Sequence, residues 1–417
     1  VTGADFVVVG GGVMGITIAS ELRRRYADAG VVVLEKEPAP GLHASGRNSG
    51  VLHAGFYYTP DSLKARFTRD GNRWMREYCQ AKGLRLNACG KLVLAKDEAD
   101  LAGLRELRRR GEQNGVTLVE LDELEARKLE PRARTHEKAL FSPTTATVDP
   151  AEVMRSLVAD AEGLGVRVMT GAAYLGRRPD GVRTAMGDVA CGYLVNAAGL
   201  YADRVARDFG YSHDYRIMPF KGLYLYSSEP AGAFRTNLYP VPDLQYPFLG
   251  VHFTVTVDGG AKIGPTAIPC LWREQYGWSE NFRLSECVEI AGLGLQLLLR
   301  AGFDFRRLAR EELKKIARRT LVAQAARLAT GLEASQYTRW GRPGIRAQLV
   351  DLRTRTLVQD FVLEGDRASF HVLNAVSPGW TCAVPFASFV CDRIDALLHG
   401  HPAEAGTTRA VATPVPA

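Results

Sequence analysis

The apolar positions open with a run, Phe6–Val9, that ends at Gly10-Gly11-Gly12-Val13-Met14-Gly15. Helical spacing follows over Ile16–Arg25, Ala29-Gly30 stops it, and Val31–Leu34 is a second apolar run closed by Glu35. Strand, glycine turn, helix and strand within about 30 residues predict a βαβ unit. A second α/β stretch starts with a helix capped by Asp149-Pro150, continues through strands Val166–Met169 and Tyr193–Val195, and ends at Asn196-Ala197-Ala198-Gly199. A third, Ser369–Leu398, again reads strand, turn, helix. Between these the period changes. Leu84–Pro143 is charged and rich in helix formers, notably Asp97–Gln113. Tyr215–Ile263 turns to β-branched and aromatic strands at Gly222–Tyr226 and Val251–Val257, before a helical section to about Thr330.

The prediction is an α/β fold in which a Rossmann-like domain is interleaved in sequence with an α+β domain carrying a mixed or antiparallel sheet. The first takes 1–83, 144–212 and 346–400, and the second takes 84–143 and 213–345. The Ala/Thr/Pro-rich residues 401–417 read as a disordered tail.

Composition narrows this little. With 46% hydrophobic and 24% charged residues in 417, the chain is neither fibrous nor disordered. Seven Cys without metal-ligand spacing predict reduced thiols, no metal site and a cytoplasmic setting. A strand already under way at Asp5–Gly10 predicts no secretion leader. The longest uncharged run, Val372–Cys391, contains Pro378 and Pro385 and so predicts no spanning helix. Charge is more telling. The net +7 is concentrated between Arg300 and Arg346, where twelve Arg or Lys face four Asp or Glu. Two readings stand: a solvated helix face, with Phe305, Leu308, Leu313, Ile316 and Leu321 as its apolar stripe, or peripheral contact with an anionic membrane surface. No stacking aromatics interleave the charges, so nucleic acid is not expected.

Gly10-x-Gly12-x-x-Gly15 after a strand and before a helix predicts a dinucleotide site. Gly10 makes the turn, Gly12 admits the pyrophosphate, Gly15 allows close helix packing, and the helix N-terminus, with Val13 and Met14, faces the phosphates. Glu35 suits the ribose hydroxyls, with Lys36 beside it. Next comes His43-Ala44-Ser45-Gly46-Arg47-Asn48-Ser49-Gly50-Val51-Leu52-His53-Ala54-Gly55-Phe56-Tyr57-Tyr58, small residues around polar ones, as a flat ring system against backbone requires.

With Lys64-Ala65, this segment resembles the flavin loop of the L-2-hydroxyglutarate dehydrogenases and oxidases of the D-amino-acid-oxidase superfamily. The likeness continues at Pro219-Phe220-Lys221-Gly222, Tyr239-Pro240-Val241-Pro242-Asp243, Pro247-Phe248-Leu249-Gly250-Val251-His252-Phe253-Thr254, Gly264-Pro265, Pro343-Gly344-Ile345-Arg346-Ala347-Gln348 and Ser377-Pro378. It implies non-covalent FAD, a 2-hydroxy-acid substrate such as L-2-hydroxyglutarate, and oxygen or a quinone as electron acceptor; the alternatives are an amino-acid or glycerol-3-phosphate type of flavin enzyme and, more remotely, a dinucleotide-sensing or polyanion-binding module. Ser45, Arg47, Asn48, Ser49, Tyr174, Ala198, Gly199, Ser377, Pro378, Gly379, Trp380 and Thr381 join Gly10–Gly15, Glu35 and Lys36 as expected cofactor residues. Where the family continues with small residues after Ser377-Pro378, Trp380 predicts a narrowed site or altered oxygen access.

Oxidising a 2-hydroxy acid requires a held carboxylate, a base for the hydroxyl proton and an aimed C2 hydride. The resemblance makes Arg346 the carboxylate clamp, a planar fork suited to two hydrogen bonds. His53 is the first candidate base, and His252 the rival. A second carboxylate needs another donor, for which Lys221, Tyr239 and Tyr57 are available.

Overall fold

The structure, a computed structural model, describes residues 2–243, 249–301 and 304–400. Pro247, Phe248 and the segment 401–417 lie outside these. The chain divides into two compact units, one of 1–46, 151–219 and 346–417, the other of 47–150 and 220–345. Residues 47–83 and 144–150, grouped on sequence with the Rossmann-like domain, pack in the second unit. Strand Val51–Leu52 pairs antiparallel with Ala146–Val148, and Asn72 on helix Leu63–Ala81 donates to the carbonyls of Leu52 (3.0 Å) and Thr144 (3.2 Å). Residues 213–219, grouped on sequence with the second domain, belong to the first unit.

The first unit is built on a parallel sheet. Strand Thr2–Val9 lies between Val31–Leu34 and Gly187–Asn196, parallel to both, and Arg167–Met169 and Ser369–Val372 extend it on either side. An antiparallel hairpin, Tyr174–Arg178 with Gly181–Thr184, edges Gly187–Asn196. The central strands read as continuous apolar runs because helices cover them. Val7, Val8, Ile16, Ile18 and Val33 are fully buried. Helices Val13–Arg25 and Gly379–His399 pack together through the Thr17 hydroxyl on Ala383 O (3.2 Å) and Arg25 on Asp392 and Asp395 (2.7 Å each).

The second unit carries a mixed eight-stranded sheet in the order Tyr337–Trp340, Leu225–Ser227, Ala261–Gly264, His252–Val255, Asn237–Pro240, Lys91–Leu94, Lys138–Ser142, Val119–Asp122. Only Asn237–Pro240 and Lys91–Leu94 pair in parallel. Three of these strands fall inside Leu84–Pro143, which the composition presents as helical; Glu98–Gln113 is the helix there, and the strands Lys91–Leu94, Val119–Asp122 and Lys138–Ser142 were masked by their charged ends. One face of the sheet buries Leu92, Leu94, Leu238, Phe253, Val255, Ala261 and Ile263 with Leu321, Val322 and Ala325 of helix Arg318–Ala325. Side chains alternate along a strand, so the other face receives Lys91, Val93, Tyr239, His252, Thr254 and Lys262. All six are buried. Among the described residues no helix is long and apolar enough to cross a membrane.

Candidate functional site

In the first unit the glycine turn is as tight as its spacing implies. Gly10 sits at φ +110°, and a Cβ there would come within 2.4 Å of Ala197 O. A Cβ on Gly15 would lie 1.9 Å from Gly10 O, so neither position admits a side chain. The buried Glu35 carboxylate closes the turn, accepting from the N–H of Gly11 and of Glu37 (both 2.9 Å). Ser45 Oγ accepts from Val13 N (2.9 Å). The N-cap residues of the two packed helices, Gly12 and Pro378, carry no capping side chain, and a Cβ on Gly379 would be 3.1 Å from Met14 Cε. Two helix N-termini thus lie side by side, and their combined dipoles suit a negatively charged group. A carboxylate at the end of the second strand, a backbone approach with no room for Cβ and paired helix N-termini fit a dinucleotide.

Other expected cofactor residues of this unit have the following partners. Ala198 N donates to Asn196 Oδ1 (3.1 Å), and Gly199 (φ +54°) opens a short 3-10 turn. Lys36 pairs with Glu37, which also meets His43 at 2.9 Å. The Tyr174 hydroxyl donates to Asp208 (3.0 Å), tying the edge hairpin down. Trp380 is half-buried, and its indole Nε1 is buried without a partner among the described residues. Arg346 is half-buried on strand Gly344–Asp351, where the chain enters this unit.

Arg47, Asn48 and Ser49 fall in the second unit. The Arg47 guanidinium lies over Tyr276, 4.2 Å from its centroid, and Asn48 Oδ1 accepts from Gly50 N (2.8 Å). Beyond them the chain from His53 to Tyr58 is pinned through its carbonyls. Asn114 donates to Gly55 O and Tyr58 O (3.0 Å each), and Arg110 to Tyr57 O (2.9 Å). This sets His53 and Tyr57 against the polar face of the sheet.

There they meet a residue the sequence did not single out. Lys91 is fully buried, with its Nζ 3.5 Å from His53 Nδ1 and 4.4, 4.9 and 5.4 Å from the ring centroids of Tyr239, Tyr57 and Phe56. Tyr239 stacks on His252 at 3.8 Å, and Nδ1 of His252 donates to Gly250 O (3.0 Å). Lys262 donates to Ser49 O (3.1 Å) with the Tyr224 ring 4.7 Å away. Of the three donors considered for a second carboxylate, Tyr57 and Tyr239 are in this cluster. The cation packed on them is Lys91, whereas half-buried Lys221 lies on strand Tyr215–Gly222 of a separate four-stranded sheet.

Burial governs how this face titrates. It pushes the Tyr57 and Tyr239 hydroxyls well above their usual range. The Tyr57 hydroxyl has no hydrogen-bond partner among the described residues; Tyr239 has only the Thr254 hydroxyl near it, without good geometry. Burial, with Lys91 and Lys262 nearby, takes His252 down to about 3. Desolvation lowers Lys262 to about 8 and Lys91 to about 7. His252 is therefore a neutral imidazole too weakly basic to hold a proton near neutrality. His53, backed by Lys91, is better placed as a base. Lys91 and Lys262 escaped the sequence reading because a lysine at a strand end ordinarily reads as solvated; the signal was their place opposite the apolar positions of Lys91-Leu92-Val93-Leu94 and Ala261-Lys262-Ile263-Gly264.

Comparison with known proteins agrees with this geometry. The family described as DAO, FAD dependent oxidoreductase, matches residues 5–393. The chain is 35% identical over 413 residues to the mitochondrial L-2-hydroxyglutarate dehydrogenase of Homo sapiens, covering 94% of this chain and 88% of that one. It is 33% identical over 417 residues to the L-2-hydroxyglutarate dehydrogenase of Escherichia coli K12, covering 97% and 96%. Among solved structures, the L-alpha-glycerophosphate oxidase of Mycoplasma pneumoniae with FAD bound shares the fold with a TM-score of 0.74 at 21% identity, covering 96% and 95%.

If Glu35 takes the ribose hydroxyls of FAD, Glu35→Ala is expected to weaken FAD binding ten- to a hundredfold, the value of about 1.5–3 kcal/mol for a charge-assisted hydrogen bond. Titration of apoprotein with FAD measures it, with circular dichroism as the check on folding. Unchanged affinity removes Glu35 from that role.

Proposed function

We propose, on the premise that this chain belongs to the FAD-dependent oxidoreductases of the DAO family and within them to the L-2-hydroxyglutarate dehydrogenases, that it oxidises L-2-hydroxyglutarate to 2-oxoglutarate. The observation that carries the reading is similarity to dehydrogenases of that name along nearly the whole of both chains. Bound FAD supplies a two-electron acceptor for the C2 hydride. Gly10–Gly15, Glu35, Ser45 and the N-terminus of Gly379–His399 are the residues that would hold it.

The protein's own groups do the rest. Arg346 holds the C1 carboxylate in a two-pronged hydrogen bond and so aims C2. His53 takes the hydroxyl proton on Nε2, since its Nδ1 faces Lys91. The proton leaves oxygen as the hydride leaves carbon, which closes the two-electron balance. The side chains around His53, those of Lys91, Tyr57 and Tyr239, are buried, which limits competing proton acceptors.

A second reading concerns the electron acceptor. Helix Leu284–Arg300 buries Ile290, Leu293 and Leu297 on one side yet exposes Leu284, Val288, Leu295 and Leu299 on the other, all within about 60° of arc. Trp278 is 98% exposed nearby in sequence, and Arg300, Arg306 and Arg310 are exposed at and beyond the helix end. An apolar stripe next to cations suits an anionic lipid surface, where a quinone is the acceptor at hand.

Four outcomes are expected. Under anaerobic conditions L-2-hydroxyglutarate bleaches the flavin, while D-2-hydroxyglutarate, lactate, malate and glycerol 3-phosphate do so at least tenfold more slowly; faster bleaching by glycerol 3-phosphate overturns the substrate assignment. His53→Ala lowers the rate of flavin reduction by about 10²–10⁴ with substrate still bound, the usual worth of a positioned base. Arg346→Lys raises KM and lowers kcat together, since charge is kept but the fork is lost. For the lipid reading, the protein co-sediments with vesicles rich in anionic lipid at low salt and is released by salt; absence of co-sedimentation leaves the helix face merely exposed.

A further inference from the structure

Lys91 is the one fully buried lysine of the polar face whose ammonium meets an imidazole. Its surroundings are unusual for a cation. The groups facing it are Cys89 two residues before its strand, His53 and Tyr57 from the pinned loop, and Tyr239 from the parallel neighbour, with His252 one strand further. None is a carboxylate, and among the described residues Lys91 makes no ion pair. Being fully buried, Lys91 cannot touch a substrate, whereas His53 retains 8% exposure. Whatever Lys91 does for the reaction passes through His53.

The 3.5 Å contact constrains the chemistry of the imidazole. An ammonium at Lys91 has only donors, so it donates to Nδ1 and leaves the His53 proton on Nε2. That tautomer cannot accept a proton from a substrate hydroxyl. A neutral amine has a lone pair, so Nδ1–H donates to it and Nε2 is left open as the base. We propose that Lys91 is a positioning residue that sets the tautomer of His53, so that the base is available only once the Lys91–His53 pair has lost its last shared proton. This rests on the reading of His53 as the base.

Desolvation brings Lys91 to about 7, so the shared proton leaves in the range where an enzyme works. The sign follows directly. Below that range the pair holds a proton and Nε2 is blocked; above it Nε2 is open, and the rate of flavin reduction rises with pH along a limb that belongs to the pair.

The test is the pH profile of anaerobic flavin reduction by L-2-hydroxyglutarate in three holoenzyme variants, each first checked for flavin content and thermal unfolding. Lys91→Met keeps the unbranched side chain as far as its fourth atom but removes the nitrogen. It is expected to lower the rate within about tenfold and to move the acid limb to lower pH by about half a unit or more, since the amine that held the pair's last proton is gone. Lys91→Arg keeps a permanent cation, which locks the blocked tautomer, and is expected to lower the rate a hundredfold or more at every pH up to 9. A merely structural or charge-balancing role predicts the reverse order, with Arg the milder change. His53→Ala separates the two ideas. If it reduces flavin within tenfold of the parent, the base reading fails. If His53→Ala is disabled but Lys91→Met keeps the parental limb, the Lys91 proposal alone is overturned. Should the Arg variant lose its flavin, the limb of Lys91→Met decides.

Discussion

Everything distinctive about this protein follows from the two-residue period of the eight-stranded sheet. Its central strands, Lys91–Leu94, His252–Val255 and Ala261–Gly264, are buried on both faces, and alternation leaves only one of those faces uniformly apolar. Leu92, Leu94, Leu238, Phe253, Val255 and Ile263 pack with helix Arg318–Ala325, and the residues between them are then committed to the opposite side. Because that side is also closed, by the chain from His53 to Tyr58 and by Leu101, Leu104 and Leu107 of helix Glu98–Gln113, its lysines, tyrosines and histidine are out of water. A one-residue slip of strand Lys91–Leu94 would bury the ammonium in the leucine core, so register and chemistry stand or fall together.

The first unit depends on a different constraint, the close approach of backbone to backbone. Gly10 and Gly15 have no space for a Cβ, and Glu35 spans from the end of one strand to the turn of another. These contacts are short-range in topology: strand, turn, helix and strand follow one another directly. That is why this half was legible. The glycine spacing, the acid after Val31–Leu34 and the turn Asn196–Gly199 each report local geometry that a single segment dictates, and the α/β architecture with a mixed second sheet followed from the same periodicities.

The polar face was legible only in part. His53 and Tyr57 stood out as reactive side chains of the flavin-loop segment, and Tyr239 and His252 as those of the motifs at 239–243 and 247–254. Lys91 did not, because its role needs two facts that no window of sequence contains: the parallel pairing of Lys91–Leu94 with Asn237–Pro240, about 146 residues away, and the pinning of residues 53–58 by Asn114 and Arg110. The boundary at residue 47 was missed for a related reason. The flavin-loop motif is continuous in sequence, yet the chain changes unit within it, and the hydrogen bonds of Asn72 that hold Leu52 and Thr144 come from a helix whose own pattern says only that one side is buried.

Burial acts on Tyr57, Tyr239, His252, Lys91 and Lys262 in one direction, toward neutrality, but it moves their pKa values oppositely according to charge type. Tyrosines are pushed up and stay protonated, and the His252 imidazole is pushed to about 3 and stays unprotonated. Lys262, lowered by burial to about 8, has the charge of Asp149 to favour its ammonium form, and it donates to the Ser49 carbonyl. Lys91 has only aromatic faces and an imidazole, and rings attract an ammonium too weakly to offset complete desolvation. It therefore ends nearest to neutrality, at about 7. A carboxylate placed beside it would have stabilised the fold more and fixed its charge. With no carboxylate beside it among the described residues, Lys91 is the lysine of this face brought furthest toward neutrality, and it touches the histidine best placed to act as the base.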